Sequence, residues 1–397
     1  MIWVQRLALL SMMALVFIIP VDGLSIFGRL PLLQAAGLLA FGFTALLILC
    51  GSAVRGASWF IALSILYVSW IVFSFIWTSM PVDYDSTQAI NSQQSVWAHL
   101  YLLGMVLLLF QIVYTEDDIQ WLLLAFLLGS LGLITLFLVS YSPNPSTVRH
   151  ALKGRDANEM SVQLAMVLPV ALYLMNLGRF WWMRVLGAIY LPLAIVSIFA
   201  TGSRTGFIVL FIGLLGLLPL FLRSGLMIKL LSLGAMLAGL LFIVNTIPAK
   251  TFERMFTTGS ELTGGTLNER SITWQKAWQE WQESPLVGHG LSSFRRSVNK
   301  HNVDYTAHNS FISIAVEQGV VGLVLYLLVI MLVLYYAIKL DKRRRLLMLS
   351  MALVVVTGQM ALTLHENMYV WFAYVVTALM LLIYYRQYPD EAISAKG

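Results

Sequence analysis

Three short stretches carry residues whose types and spacing suit chemistry. The first is His308-Asn309, followed after nine residues by Gly319-Val320-Val321-Gly322. It stands where a long polar loop returns to an apolar run, which holds a titratable imidazole beside a helix start. Two readings are open. Either this is an active-site corner, or Asn309 caps a helix, the glycines ease close helix packing and His308 is an interfacial residue. The second stretch is Thr201-Gly202-Ser203-Arg204-Thr205-Gly206. Such a turn presents backbone N–H groups, hydroxyls and one guanidinium, a cradle for phosphate or a tight hairpin with a snorkelling arginine. Its glycine spacing and missing lysine exclude a Walker-type loop. The third is Thr266-Leu267-Asn268-Glu269, a capping-box pattern, followed by Arg270 and then Trp274, Trp278 and Trp281. Spacings of four and three put the indoles on one helical face. The helix is expected to end at Ser284-Pro285, with Arg270 in a first turn whose free N–H groups suit an anion. It either lies on a bilayer with its indoles at headgroup depth or covers the top of a bundle.

Further polar residues flank these stretches. Arg149, Lys153 and Arg155 precede an apolar run that Asp156 or Asn158 would cap, and they suit lipid headgroups or a ligand's phosphates. Gly288-His289-Gly290 reads as a turn, with a basic segment after it. Asp304 lies four residues before His308, so on a continued helix its carboxylate would orient the imidazole. Zinc on His301, Asp304, His308 and Glu317 is disfavoured because no compact ligand spacing is present, and no metal is expected. His365-Glu366-Asn367 reads as a simple turn, and residues 80–95 as a solvated loop or an acceptor-contacting rim.

The elements that must position these residues are membrane helices. Hydrophobic residues make up 59% of the 397-residue chain and charged residues 11%, against roughly 25% charged in soluble domains. Twelve apolar runs are long enough to cross a bilayer, the eighth at 206–222 and the ninth at 227–246. The expected architecture is all-α and polytopic, with helices 1–9 in residues 1–246, an outer loop with an amphipathic helix in 247–319, and helices 10–12 in 320–397. The first run resembles a signal peptide but lacks a small-x-small cleavage site, so it is read as a span.

Thirteen Lys and Arg residues fall in the connections on one side and five in the short loops of the other. The positive-inside rule then makes both termini cytoplasmic and the loop after residue 246 external. Net charge of +6 mostly reports this topology. Lys342 to Arg345 are read as a lipid anchor, not a nucleic-acid patch. The single cysteine, Cys50, excludes an internal disulfide and a thiolate metal cluster.

Topology thus carries Arg204, Arg270 and His308 from three segments to one outer face. Two arginines beside glycine-rich turns suit a lipid-borne pyrophosphate, and a histidine suits removal of a hydroxyl proton. The order of the blocks resembles the O-antigen ligase and polymerase superfamily of bacterial membrane glycosyltransferases. These blocks are Thr201-Gly202-Ser203-Arg204-Thr205-Gly206, then Asn268-Glu269-Arg270 with Trp274, Ala277, Pro285, Gly288 and Gly290, then His308-Asn309 with Gly319 and Gly322. The spacing after His308 is especially similar to the ligase that joins O-antigen to the lipid A core.

That resemblance implies a GT-C-type helical fold in the bacterial inner membrane with a periplasmic site and no cofactor, metal or nucleotide sugar. It implies transfer of a preassembled glycan from undecaprenyl pyrophosphate to a sugar hydroxyl of the lipid A core. By motif, the family's essential residues fall on Arg204, Arg270 and His308. Arg149, Lys153, Arg155, Ser203 and Asn309 are then candidates for donor or acceptor phosphates, and Asp304 for orienting His308. A polymerase or a protein O-oligosaccharyltransferase of the same superfamily is the nearest alternative. A lipid-linked-glycan flippase or transporter is the alternative in another class, disfavoured by the absence of a convincing internal repeat and the scarcity of charge within the runs.

Overall fold

The structure is a computed structural model that describes residues 2–21, 25–26, 30–52, 58–78, 86–141, 149–215, 219, 226, 234, 237, 241, 250–251, 270–298 and 306–389. Its helices are α1 (Ile2–Ile18), α2 (Leu32–Leu49), α3 (Trp59–Ser74), α4 (Ser86–Ile112), α5 (Glu116–Ser140), α6 (Ala157–Leu177) and α7 (Trp181–Ala200). They continue with α8 (Arg204–Leu215), α9 (Arg270–Glu283), α10 (Phe294–Val298), α11 (Ser310–Lys339), α12 (Lys342–Ala361) and α13 (Met368–Gln387). A two-residue antiparallel ladder pairs Ser25–Ile26 with Leu30–Pro31. Among the described residues ten helices are long and apolar enough to cross a membrane, so the chain is a polytopic helical membrane protein. The eighth expected span is described continuously only as far as Leu215, and of the ninth only residues 234, 237 and 241 are described; residues 266–269, His301 and Asp304 lie outside the described residues. Two boundaries differ from expectation: α4 begins at Ser86, inside the stretch read as a loop, and α11 begins at Ser310, ten residues before the tenth span was expected to start.

Helices α6 and α13 are apolar around their whole circumference and almost wholly enclosed, as a helix at the centre of a bundle must be. Around them, Leu38, Phe41, Ile76, Val139 and Met331 point outward, the apolar belt that a bilayer covers.

At one end of the bundle, Thr115 and Asp118 cap α5 reciprocally, and Glu116 and Asp117 sit at the positive end of its dipole. Arg344 reaches Glu116 with two hydrogen bonds, at 2.7 and 3.1 Å, and Asp341 at 2.7 Å. Tyr173 donates to the same Glu116 carboxylate, and Arg179 pairs with Asp117. Arg344 is therefore a tie between α5, α6 and α12, which corrects its reading as a lipid anchor, while Lys342 and Arg343 stay exposed. The reason is the acidic start of α5, which lies within reach of a guanidinium fork.

At the opposite end, α11 is broken at Gly319 (φ 65°, ψ −168°), a conformation that a side chain resists. The break frees backbone groups that residues 285–290 take up. Val320 N–H donates to Pro285 O at 2.8 Å, His289 N–H to Val316 O at 2.9 Å and Gly290 N–H to Glu317 O at 2.8 Å. Trp70 Nε1–H donates to Gln318 O at 3.2 Å. A Cβ on Gly319 would meet the Leu286 carbonyl, and one on Gly288 the Glu317 backbone. The glycines of the motif thus lock the outer loop onto α11.

Candidate active site

The site is assembled at the N-terminal ends of α6, α8, α9 and α11. Asp156 is the N-cap of α6, accepting from Asn158 N–H at 2.8 Å and Glu159 N–H at 3.1 Å through Oδ1. Its Oδ2 accepts from Arg149 at 3.1 Å. Arg270 is the first residue of α9 and is partly buried. His308 precedes the N-cap of α11 with left-handed backbone (φ 45°), an uncommon state for a residue with a side chain and one that clusters at functional sites.

Electrostatics ties four of these groups together. Burial lowers the His308 pKa from its ordinary 6.5; Arg270 lowers it further, Asp156 opposes and Arg149 adds to the lowering. Burial also lowers Arg270, with Asp156 opposing and Arg149 assisting. A neutral imidazole beside two guanidiniums and one carboxylate is a proton acceptor next to an anion-binding surface.

The placement of His308 follows from its neighbours. Asn309 caps α11, accepting from Phe311 N–H at 2.9 Å and Ile312 N–H at 3.1 Å, and donates to Met360 O at 3.1 Å. Helix α9 covers this corner, with Trp274 Nε1–H donating to Ala307 O at 2.9 Å. Ala277, Phe294, Val298, Ala307 and Val316 form a small core beneath it, with Trp281 packed against them and Trp278 turned outward. The capping role of Asn309 and the close-approach role of the glycines are therefore real, and they serve to hold His308. Residues 306–309 are not helical, and His308 Nε2 shares a hydrogen bond of 2.8 Å with Thr306 Oγ1. The four-residue helical spacing expected for Asp304 does not extend to His308.

The turn before α8 is docked on the same corner. His150 N–H donates to Thr201 O at 3.2 Å, and Ser203 Oγ donates to Asn158 Oδ1 at 2.8 Å. Ser203 also accepts from Gly206 N–H at 2.9 Å and is fully buried, so its hydroxyl caps α8 and does not face a ligand. Arg204, the next residue, opens α8. Arg155 donates to Gln163 Oε1 at 3.2 Å, and Lys153 is exposed.

Beside Asp156 opens a cavity of about 870 Å³ between α1, α2, α4, α6 and the turn before α13. Its polar end is lined by Arg155, Asp156, Glu159, Gln163, Glu366 and Asn367. Its remaining wall, including Leu33, Leu38, Phe41 and Leu108, is apolar and belongs to membrane helices.

Residues 189–327 match the family model described as O-antigen ligase. That stretch is similar to O-antigen ligases. No curated protein matches the chain. The O-antigen ligase match runs from within α7 to within α11 and takes in Arg204, Arg270 and His308. Arg149 and Asp156, which the fold brings to His308, lie before the matched stretch. Arg149 was legible as a charged flank, but pairing Asp156 with it needs the folded loop, since capping alone accounts for Asp156.

Proposed function

We propose that this protein is an O-antigen ligase that transfers a preassembled glycan from undecaprenyl pyrophosphate to a sugar hydroxyl of the lipid A core. One observation carries the reading: His308 and Arg270 share an electrostatic neighbourhood with Arg149 and Asp156, and Asp156 also lines the polar end of an amphipathic cavity. A donor with a charged head and a polyprenyl tail fits such a cavity, its tail along the apolar wall. Arg270, with Arg149 and Arg204, holds the pyrophosphate and stabilises the charge that builds as the lipid pyrophosphate leaves. Neutral His308 takes the proton from the acceptor hydroxyl as that oxygen attacks the anomeric carbon. Direct displacement inverts the carbon.

Guanidiniums supply the positive charge at the phosphates, so the transfer step itself runs without a metal. The bias of basic residues supports a site on the periplasmic side, with both termini cytoplasmic, and the resemblance implies the inner membrane. The resemblance to the superfamily implies a fold of the GT-C type.

The test is a transfer assay with purified protein, undecaprenyl-pyrophosphate glycan and lipid A core, comparing wild type with His308→Ala of matched folding. Glycan on the lipid A core in wild type alone supports the proposal. Growth of glycan on its own lipid makes the protein a polymerase instead, and near-normal transfer by His308→Ala removes the proton-acceptor role.

A further inference from the structure

A second cluster lies outside the residues used above. We propose that His99 of α4 and His365 and Glu366 of the turn before α13 bind one divalent transition-metal ion of the zinc class, which clamps α4 to that turn.

The case begins with His99, which is fully buried. Its Nδ1 lies 2.8 Å from Ser95 O, an acceptor, so Nδ1 carries the hydrogen and Nε2 of the neutral ring holds the lone pair. That Nε2 has no hydrogen-bond partner, and it faces Glu366 Oε1 at 3.9 Å. Two acceptors therefore face each other, the ring nitrogen fully buried and the carboxylate 34% exposed, and the ring nitrogen is left unmet unless something positive stands beside it.

His365 makes the same demand. It is 3% exposed, its Nε2 lies 3.8 Å from the same Glu366 oxygen, and its buried Nδ1 lacks a partner. In its neutral form one of the two ring nitrogens offers a lone pair. A proton shared by His99 and Glu366 would meet that pair, with His365 facing the carboxylate through Nε2–H; a divalent ion instead gathers one lone pair from each ring and the carboxylate at a single point.

The spacing fits. One ligand atom from each residue lies within 4.8 Å of the other two. Ligand atoms bonded at about 2.0–2.2 Å to a tetrahedral ion stand about 3.3 Å apart, so each imidazole needs to approach the carboxylate by only about half an ångström. Outer contacts of the kind that orient metal ligands are in place: the Ser95 carbonyl on His99 Nδ1, and Ser95 Oγ donating to Glu366 Oε1 at 3.0 Å. The turn is held by its backbone, with Trp371 Nε1–H donating to His365 O at 2.8 Å and Leu364 N–H to Ser310 Oγ at 2.8 Å. Glu366 also lines the cavity, which gives an ion a route in. Among the described residues one other such cluster occurs, Glu280, Glu283 and His289, but there His289 Nε2 is already engaged by Glu280 O at 2.8 Å. Because the clamped turn holds Ser310, next to the cap of α11, the ion supports the His308 corner without touching the phosphates.

The experiment titrates Co(II), then Zn(II), into chelator-stripped full-length protein in detergent, reading the Co(II) d–d absorption and the metal content. Wild type is expected to bind one Co(II) with bands of a nitrogen-ligated, low-symmetry site that Zn(II) abolishes. Glu366→Gln and His99→Gln, of matched elution and helicity, should bind at least tenfold more weakly, and His289→Gln like wild type. Should the variants misfold, the wild-type titration alone decides. Absence of d–d bands, bands unaffected by Zn(II), or equal binding by folded Glu366→Gln means an adventitious ion only, and the proposal fails. Failure of the transfer assay would leave this result standing.

Discussion

The indole N–H of Trp274 donates to the carbonyl of Ala307, the residue immediately before His308. One helix of the outer loop thereby fixes the backbone of a residue held at φ 45°. Trp274→Phe keeps the ring and removes the donor, leaving a part-buried carbonyl unmet at a cost of about 1–3 kcal/mol. Transfer is expected to fall about tenfold in kcat with little change in donor KM, because positioning is lost and binding is not. Steady-state kinetics with donor and acceptor varied separately checks this.

The charges around His308 predict a pH profile. With His308 as the proposed proton acceptor, transfer requires the neutral imidazole; its pKa lies below the ordinary 6.5, so activity should persist as pH falls through 6.5 and be lost only below it. Removing Asp156, which raises the pKa, should shift the acidic limb further down in Asp156→Asn. Removing Arg149, which lowers it, should shift the limb up in Arg149→Gln. Rate profiles in kcat/KM for both variants check the sign, and a limb that moves the same way in both contradicts the assignment.

The guanidiniums should differ from point charges. Arg270→Lys keeps the charge but loses the planar fork, and removal of one such stabilising donor costs about 10²–10³ in kcat. Arg270→Lys is expected toward the lower end of that range, with His308→Ala lower still in activity. Single-turnover transfer on matched amounts of inserted protein measures both.

Much of this was legible before the fold was seen, for identifiable reasons. The spans follow from apolar runs and basic connections, and the caps at Asp156 and Asn309 from short acceptors ahead of those runs. Two things were not legible. Arg344 looked like a lipid anchor because its partner, Glu116, is distant in sequence, and a cytoplasmic cation beside a bilayer is the default reading. His99 was hidden inside an apolar run, and its relation to His365 depends on the packing of α4 against α13, which no periodicity encodes. The tryptophan stripe left two roles open, bilayer contact or bundle cover, and only the small core under α9 decides for cover.

The break in α11 carries the last prediction. At φ 65° and ψ −168°, Gly319 occupies a region open almost only to glycine, and a Cβ there would meet the Leu286 carbonyl. Gly319→Ala must either strain the backbone by about 1–3 kcal/mol or straighten the helix. Straightening would withdraw the N–H groups of Val320 and Val321 from Pro285 O and Leu286 O, and the loop that carries His289 and Gly290 would lose its seat. The expected outcome is a lowered melting temperature together with loss of transfer, since α9 and the Ala307 carbonyl are anchored through that loop. Gly42→Ala, where a Cβ has open space, is the control and should change neither. Thermal unfolding in detergent and the transfer assay on the same preparations decide it: a Gly319→Ala protein with wild-type stability and activity would mean that the break is not what seats the loop.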